Sequence, residues 1–150
     1  MSTGNKQEIV IREGSIAEVL SLRLAIPEFE KPFGDEVYAE RLKGKNYLIL
    51  VAESAGKLVA FKVGYALDDQ VFFSWMSGVL PAFRRNGIAN ILADVQDNWA
   101  RKSGFSKLLF KARNKYASMI QFGLKRGFLI VDLVKAPEPE ESRVIMEKLL

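Results

Sequence analysis

The spacing of the apolar residues changes several times along the chain, which predicts an alternation of strands and helices. Residues 8–12 alternate between polar and apolar side chains and predict a first strand. Ser15 and Glu18 have the spacing of a capping box, so a helix is expected to begin there. The apolar stripe expected for this helix consists of Ile16, Val19, Leu20 and Leu24. Pro27 ends the helix, and a second short helix is expected over 36–42.

Three strand-like segments follow, and short turns separate them. The segments cover 47–52, 58–67 and 71–79, with turn residues at 54–57 and 68–69. Short turns between β-rich segments are typical of antiparallel hairpins. We therefore expect strands in this part of the chain to pair in opposite directions.

The rest of the chain predicts two helices and three strands. A long amphipathic helix is expected over 87–99, followed by a buried strand over 108–112. Another helix is expected over 116–124, and strands at 128–134 and 143–149 complete the pattern. The predicted order is strand, two helices, three strands, helix, strand, helix and two strands. This order predicts a mixed α/β sheet.

Cysteine and histidine are both absent from the chain. Without them there is no disulfide framework, zinc cluster or Ser-His-Asp triad, and we expect no metal site. Any acid–base chemistry must come from Asp, Glu, Lys, Tyr, a terminus or water. The lack of cysteine, of a signal peptide and of a long apolar segment favours a cytoplasmic protein without a membrane partner.

The charge pattern excludes little by itself. The net charge of +4 comes from 22 basic and 18 acidic residues that are mixed along the chain. A nucleic-acid-binding protein more often concentrates its basic residues on one face, so no nucleic acid is expected as a partner.

The segment 79–89 has the composition of a phosphate-binding turn. A strand ends at a proline, a basic turn follows, and small residues open the long helix. The first N–H groups of a helix lack internal partners and suit an anion. Gly87 and Ala89 leave space for phosphate oxygens, and Arg84 and Arg85 add positive charge. The usual nucleotide-binding signatures GxGxxG and GxxxxGK[ST] are absent.

In this context, the segment 79–89 resembles the acyl-CoA-binding motif of the GNAT superfamily of N-acyltransferases. The resemblance extends to Asn114 and to the helix that ends in Arg126, Gly127 and Phe128. It implies one GNAT-like domain over residues 1–150. The central sheet of such a domain is largely antiparallel and has helices on both faces.

The resemblance also implies the cofactor and the residues that hold it. The co-substrate is expected to be acetyl-CoA or another short acyl-CoA. Its pyrophosphate is expected on the backbone N–H groups of Arg85, Asn86, Gly87, Ile88 and Ala89. Arg84 and Arg85 add charge, Arg84 being the one more suited to capping the turn. The backbone from Ser77 to Val79 would pair with the pantetheine arm, and Asn114 would bond that arm, cap a helix or do both.

The chemistry that the family implies needs no nucleophilic residue, because an amine attacks the thioester directly. A backbone N–H at the bend near Gly78 would stabilise the developing oxyanion. The expected bases are Glu53, Glu28 and Glu30, although each of them also fits a solvated surface carboxylate. Phe122 occupies the position where the family often has a tyrosine that acts as the general acid. The thiolate would therefore leave without receiving a proton from the protein.

Two functions remain open at this point. The first is an N-acyltransferase acting on a small-molecule or peptide amine. The alternative is a non-catalytic sensor or interaction module that binds acyl-CoA. The last strand allows pairing between two copies, so a homodimer is one of the assemblies expected.

Overall fold

The computed structural model describes residues 8–29 and 34–150. In these two stretches the chain forms seven strands and four α-helices. They are β1 (Ile9–Glu13), α1 (Ile16–Leu24), α2 (Asp35–Leu42), β2 (Tyr47–Ser54), β3 (Lys57–Ala66), β4 (Val71–Val79), α3 (Ile88–Lys102), β5 (Lys107–Arg113), α4 (Ala117–Lys125), β6 (Leu129–Val134) and β7 (Arg143–Leu149). The predicted order of elements is confirmed, and so is the mixed α/β fold class.

The strands form one hydrogen-bonded series in the order β1-β2-β3-β4-β5-β7-β6. The pairs β1–β2, β2–β3, β5–β7 and β6–β7 are antiparallel. The pair β4–β5 is parallel, with Val71 opposite Lys107. The prediction of a largely antiparallel sheet is therefore confirmed.

The chain divides into two compact units, which we describe separately. The first unit contains the described residues up to Tyr65 together with Met76–Gln96. The second contains Ala66–Trp75 and Asp97–Leu150. That residues 1–150 form a single domain stays a prediction. Over 8–29 and 34–150, no helix is long and apolar enough to cross a membrane.

In the first unit, α1 begins where the sequence predicts but buries a different face. The Ser15 hydroxyl accepts from the Glu18 N–H at 3.2 Å, and the Glu18 carboxylate accepts from the Ser15 N–H at 3.0 Å. Leu24, which the predicted stripe includes, is 76% exposed. The buried face instead contains Val19, Leu22 and Arg23, and Ile26, just beyond the helix, is buried as well. The chain has apolar residues on both sides of this helix, and tertiary packing selects one of them.

In the second unit, α4 packs closely against the sheet. The strand β5 buries alternate residues, among them Leu108 and Phe110. A Cβ atom built at Gly123 of α4 would lie 2.6 Å from the Phe110 ring and 3.1 Å from Met146. Only a glycine lets the helix approach the strands this closely.

The strand β6 lies at one end of the strand order and is exposed along its whole length. Its large apolar side chains are about half exposed or more: Leu129, Ile130, Val131, Leu133 and Val134. The register against β7 shifts between Ile130 and Asp132. The Asp132 carboxylate accepts the N–H of Leu133 at 2.8 Å. The ladder of this strand is thus interrupted at its centre.

Candidate functional site

The basic turn lies in the first unit, between β4 and α3. A single 3-10 turn at Pro81–Phe83 follows β4, and α3 begins at Ile88. Two residues between them have left-handed backbone conformations, Arg85 with a φ of 68° and Gly87 with a φ of 76°. Such conformations suit glycine and cost an arginine some strain.

The turn contains a row of backbone N–H groups that have no backbone acceptor in the described structure. No backbone carbonyl in the described part of the chain accepts a hydrogen bond from the N–H groups of Arg85, Asn86, Gly87, Ile88 and Ala89. Two residues after Ala89, the N–H of Ile91 donates to the Gly87 carbonyl at 3.1 Å and belongs to the helix ladder. A Cβ atom built at Gly87 would meet nothing within 4 Å, so this end of the helix is open. Its first turn also contains no acidic residue.

This geometry suits an anion. The unpaired N–H groups lie at the start of α3, where the positive end of the helix dipole is located. Ile88 is buried and anchors the start of α3, while Arg85, Asn86 and Ala89 are exposed. The predicted pyrophosphate ligands therefore lie side by side on an accessible surface. Their binding role itself stays a prediction.

The two arginines of the turn differ. The Arg84 guanidinium donates from Nη1 and Nη2 to the two carboxylate oxygens of Glu28, each at 2.8 Å. Its Nε donates to the Val79 carbonyl at 3.1 Å. Arg85 forms no ion pair with any residue of 8–29 or 34–150. Arg85 is therefore the arginine left available to an anion, and Arg84 holds the turn to other parts of the unit.

The pairing also changes the chemistry of Glu28. The hydrogen bonds from Arg84 hold the pKa of this carboxyl below its ordinary value of 4.5. A carboxylate with a lowered pKa is a weaker proton acceptor. Glu28 thus lies next to the predicted turn but is already engaged.

The two other predicted bases have different positions. Glu53 lies in β2, at the register shift against β3, and its carboxylate accepts from Arg12 Nε at 2.5 Å. Arg12 also pairs with Glu18 at 2.5 Å, so one arginine joins two carboxylates. Glu30 lies outside the described residues.

Gly78, beside which the oxyanion donor is predicted, has a packing explanation. A Cβ atom at this position would lie 2.8 Å from Ile26 Cδ1 and 3.1 Å from the rings of Phe29 and Phe61. These side chains cover β4 at Gly78, and any larger residue would displace them. Ser77 and Val79 flank this position and are half-buried.

Asn114 lies in the second unit. Its backbone N–H donates to the Ser142 carbonyl at 2.7 Å. The prediction that Asn114 caps a helix is wrong, because α4 begins at Ala117 and its N-cap is Tyr116. The cap fails because two turn residues separate Asn114 from the helix. Phe122 is half-buried in α4, with the Arg126 guanidinium 5.9 Å from its ring centroid.

Sequence reasoning missed a buried polar group beside β4. Arg23 Nη1 donates to the Tyr38 hydroxyl at 3.0 Å, and this hydroxyl donates to Met76 Sδ at 3.0 Å. Burial raises the pKa of Tyr38. These residues are 15 and 38 positions apart, and no local pattern in the sequence connects them.

Comparisons with known proteins bear on the family and on the fold. The model of the acetyltransferase (GNAT) family matches residues 19–128. Ard1 from Thermoplasma volcanium is a similar structure with a TM-score of 0.81 and 20% identity, covering 95% of this chain and 97% of the other. No curated protein sequence matches the chain.

Two further structures have the same fold. The ribosomal-protein-S18-alanine N-acetyltransferase from Escherichia coli has a TM-score of 0.82 and 18% identity over 95% of this chain and 94% of that one. A GNAT family acetyltransferase from Elizabethkingia anophelis with acetyl-CoA bound has a TM-score of 0.78 and 18% identity, covering 97% of this chain and 100% of that one.

Proposed function

Because the chain belongs to the GNAT family of acetyltransferases, we propose that it transfers an acetyl or other short acyl group from CoA to an amine. The transfer takes place by direct attack in a ternary complex. The observation that carries the proposal is the row of unengaged N–H groups from Arg85 to Ala89 at the open end of α3. Backbone N–H groups at a helix start bind phosphate groups, and acyl-CoA contains a pyrophosphate.

The proposed cofactor site follows from the turn. The five N–H groups bind the pyrophosphate oxygens, and the Arg85 guanidinium adds a charge at the mouth. The backbone of β4 from Ser77 to Val79 lies next along the chain and receives the pantetheine arm. This arrangement places the thioester beside the last residues of β4.

The proposed reaction forms one bond and breaks one. The amine nitrogen attacks the thioester carbonyl carbon, a C–N bond forms, and the C–S bond breaks with its electron pair on sulfur. A backbone N–H near Gly78 donates to the carbonyl oxygen as charge develops there. The thiolate leaves without a protein acid, because a thiol with a pKa of about 8.5 is a tolerable leaving group.

The attacking amine must also lose its proton. One of three carboxylates is proposed to take this proton, directly or through water: Glu53, Glu28 or Glu30. Both described carboxylates are bound to arginines, and the lowered pKa of Glu28 makes it a weaker base. Separate substitution by glutamine distinguishes them, because only loss of the true base lowers kcat/KM on the alkaline side of its pKa.

A binding experiment tests the cofactor half. Acetyl-CoA at about 1 mM should raise the Tm of the wild-type protein. The substitution Gly87→Glu should remove this shift by repelling the pyrophosphate. Because Gly87 has a positive φ, Gly87→Ala is the control for backbone strain, and it should keep most of the shift. An unchanged wild-type Tm would refute the proposal.

A thiol-release assay tests the chemical half. The amines to compare are spermidine, Nα-acetyl-lysine and a peptide with an N-terminal alanine. The peptide is included because one similar structure is named as an alanine N-acetyltransferase. Amine-dependent release of CoA supports an enzyme. A Tm shift without release from any amine would favour the non-catalytic acyl-CoA-binding module, which the engaged carboxylates and Phe122 would then explain.

A further inference from the structure

The Arg84 side chain joins three parts of the first unit. Its Nη atoms hold Glu28, which follows α1, and its Nε holds the Val79 carbonyl at the end of β4. Its own backbone begins the basic turn. Three of the five guanidinium N–H groups are used in these bonds. A planar guanidinium fixed at both ends has little freedom to turn toward another anion.

The segment Pro27–Phe29, which we name the anchored segment, is held at a second point. The Phe29 ring lies 5.9 Å from that of Phe61, centroid to centroid, and covers Gly78. The Arg23 guanidinium lies 4.6 Å from the Phe29 ring centroid. The Phe29 N–H donates to the Ile26 carbonyl at 3.2 Å. The anchored segment therefore covers β4 next to the proposed thioester position.

We propose that the Arg84–Glu28 pair is a strap that couples the pyrophosphate turn to the anchored segment. Arg84 is then a positioning residue for the acceptor amine and not a phosphate ligand. This inference rests on the proposed function, because it takes the thioester to lie at Ser77–Val79.

The strap has a direct consequence for binding. An amine that reaches a thioester at Gly78 must pass the side chains that cover this residue, and Phe29 is one of them. When pyrophosphate fixes the turn, Arg84 fixes Glu28 and with it the neighbouring Phe29. Acyl-CoA thus prepares the acceptor side, and the two ligands bind with positive coupling.

The first test measures acetyl-CoA binding by calorimetry. We expect Arg84→Gln and Glu28→Gln to keep the Kd within about twofold of wild type, whereas Arg85→Gln weakens it about threefold to fivefold. Glu40→Gln, at an exposed position of α2, is the control for loss of a surface carboxylate. Equal weakening by Arg84→Gln and Arg85→Gln would make Arg84 a phosphate ligand and would overturn the strap.

The second test separates KM from kcat for the best amine of the thiol-release panel. Arg84→Gln and Glu28→Gln should each raise the acceptor KM about fivefold, and the charge-reversed pair Arg84→Glu with Glu28→Arg should recover part of this loss. An unchanged acceptor KM overturns the strap. The strap also fails if kcat/KM of Glu28→Gln no longer rises with pH as the wild-type value does, because Glu28 would then be the base.

The failures of the two proposals are distinguishable. If the wild-type protein releases no thiol with any amine, the proposed function fails and the strap fails with it. If the wild-type protein turns over and the variants keep their acceptor KM, only the strap fails. Circular dichroism of each variant checks that the fold is intact.

Discussion

Two helices of the first unit begin in opposite ways. The start of α1 is closed by its own side chains, because Ser15 and Glu18 exchange hydrogen bonds and Arg12 holds Glu18 from outside. The start of α3 is open, since Gly87 offers no side chain and the N–H groups before it have no backbone acceptor among the described residues. Every helix leaves about four N–H groups without internal partners.

The difference separates a structural helix end from a binding one. In α1 the capping box satisfies the N–H groups of Ser15 and Glu18 within the chain, which stabilises the helix. In α3 the corresponding donors are available to an external anion, and on the proposed function a bound pyrophosphate would stabilise the start of this helix. Exchanging the two kinds of end therefore tests the assignment.

The largest effect is expected from closing the open end. Gly87→Asp places a carboxylate among the N–H groups of α3, where it competes with and repels pyrophosphate. We expect the acetyl-CoA Kd to rise about 100-fold, equivalent to about 2.7 kcal/mol. Calorimetry measures it, with Gly87→Ala as the strain control. A Kd within a few-fold of the Gly87→Ala value would mean that pyrophosphate binds elsewhere.

Opening the closed end should affect stability alone. Ser15→Ala removes the oxygen that accepts the Glu18 N–H, which costs about 1 kcal/mol. The expected decrease in Tm is about 2–4 °C for a chain of this size. Differential scanning fluorimetry with and without acetyl-CoA should give the same ligand-induced shift as wild type. A reduced shift would connect α1 to the cofactor site.

Removing the Arg85 charge should weaken acetyl-CoA binding less than Gly87→Asp does. Arg85→Gln leaves the backbone donors in place, so acetyl-CoA binding is expected to weaken only about threefold to fivefold. The affinity should also depend less on salt, because one cation–phosphate contact is lost. Binding at two salt concentrations checks this, and an unchanged salt dependence would argue against contact between Arg85 and phosphate.

The smallest expected effect is a pH-dependent change in Tm caused by the ion pair of Arg12 and Glu18. Hydrogen bonds from Arg12 lower the pKa of Glu18 below its ordinary value of 4.5. The ion pair therefore stabilises the fold at pH values above 4.5, and this stabilisation is lost as acid protonates Glu18. Glu18→Gln can keep the capping box but loses the ion pair. Its Tm should lie slightly below wild type at about pH 7, and this difference should shrink as the pH falls below the ordinary value of 4.5. A Tm difference that persists in acid would assign the effect to packing.

Local signals in the sequence predicted local features well. The capping box of Ser15 and Glu18 and the strand 143–149 are confirmed, because their causes lie within a few residues of each other. The long helix that follows the basic turn is confirmed for the same reason. The family could be predicted as well, since its motif occupies a continuous segment.

Contacts between distant residues could not be predicted. The exposed Leu24 was placed in the core because its helix has apolar residues on two sides. The partners of Glu28 and Glu53 are arginines 56 and 41 positions away. Reading either carboxylate as a free base required knowing that no cation lay near it, and a single sequence does not contain that information.

The interrupted strand β6 has a consequence for the behaviour of the protein at high concentration. A row of exposed Leu, Ile and Val side chains on an outer strand would ordinarily recruit further chains into fibrils. Here the bulge after Ile130 and the carboxylate of Asp132 on the Leu133 amide spoil the template. We therefore expect Asp132 to oppose aggregation, because an interrupted edge strand pairs poorly with a second chain.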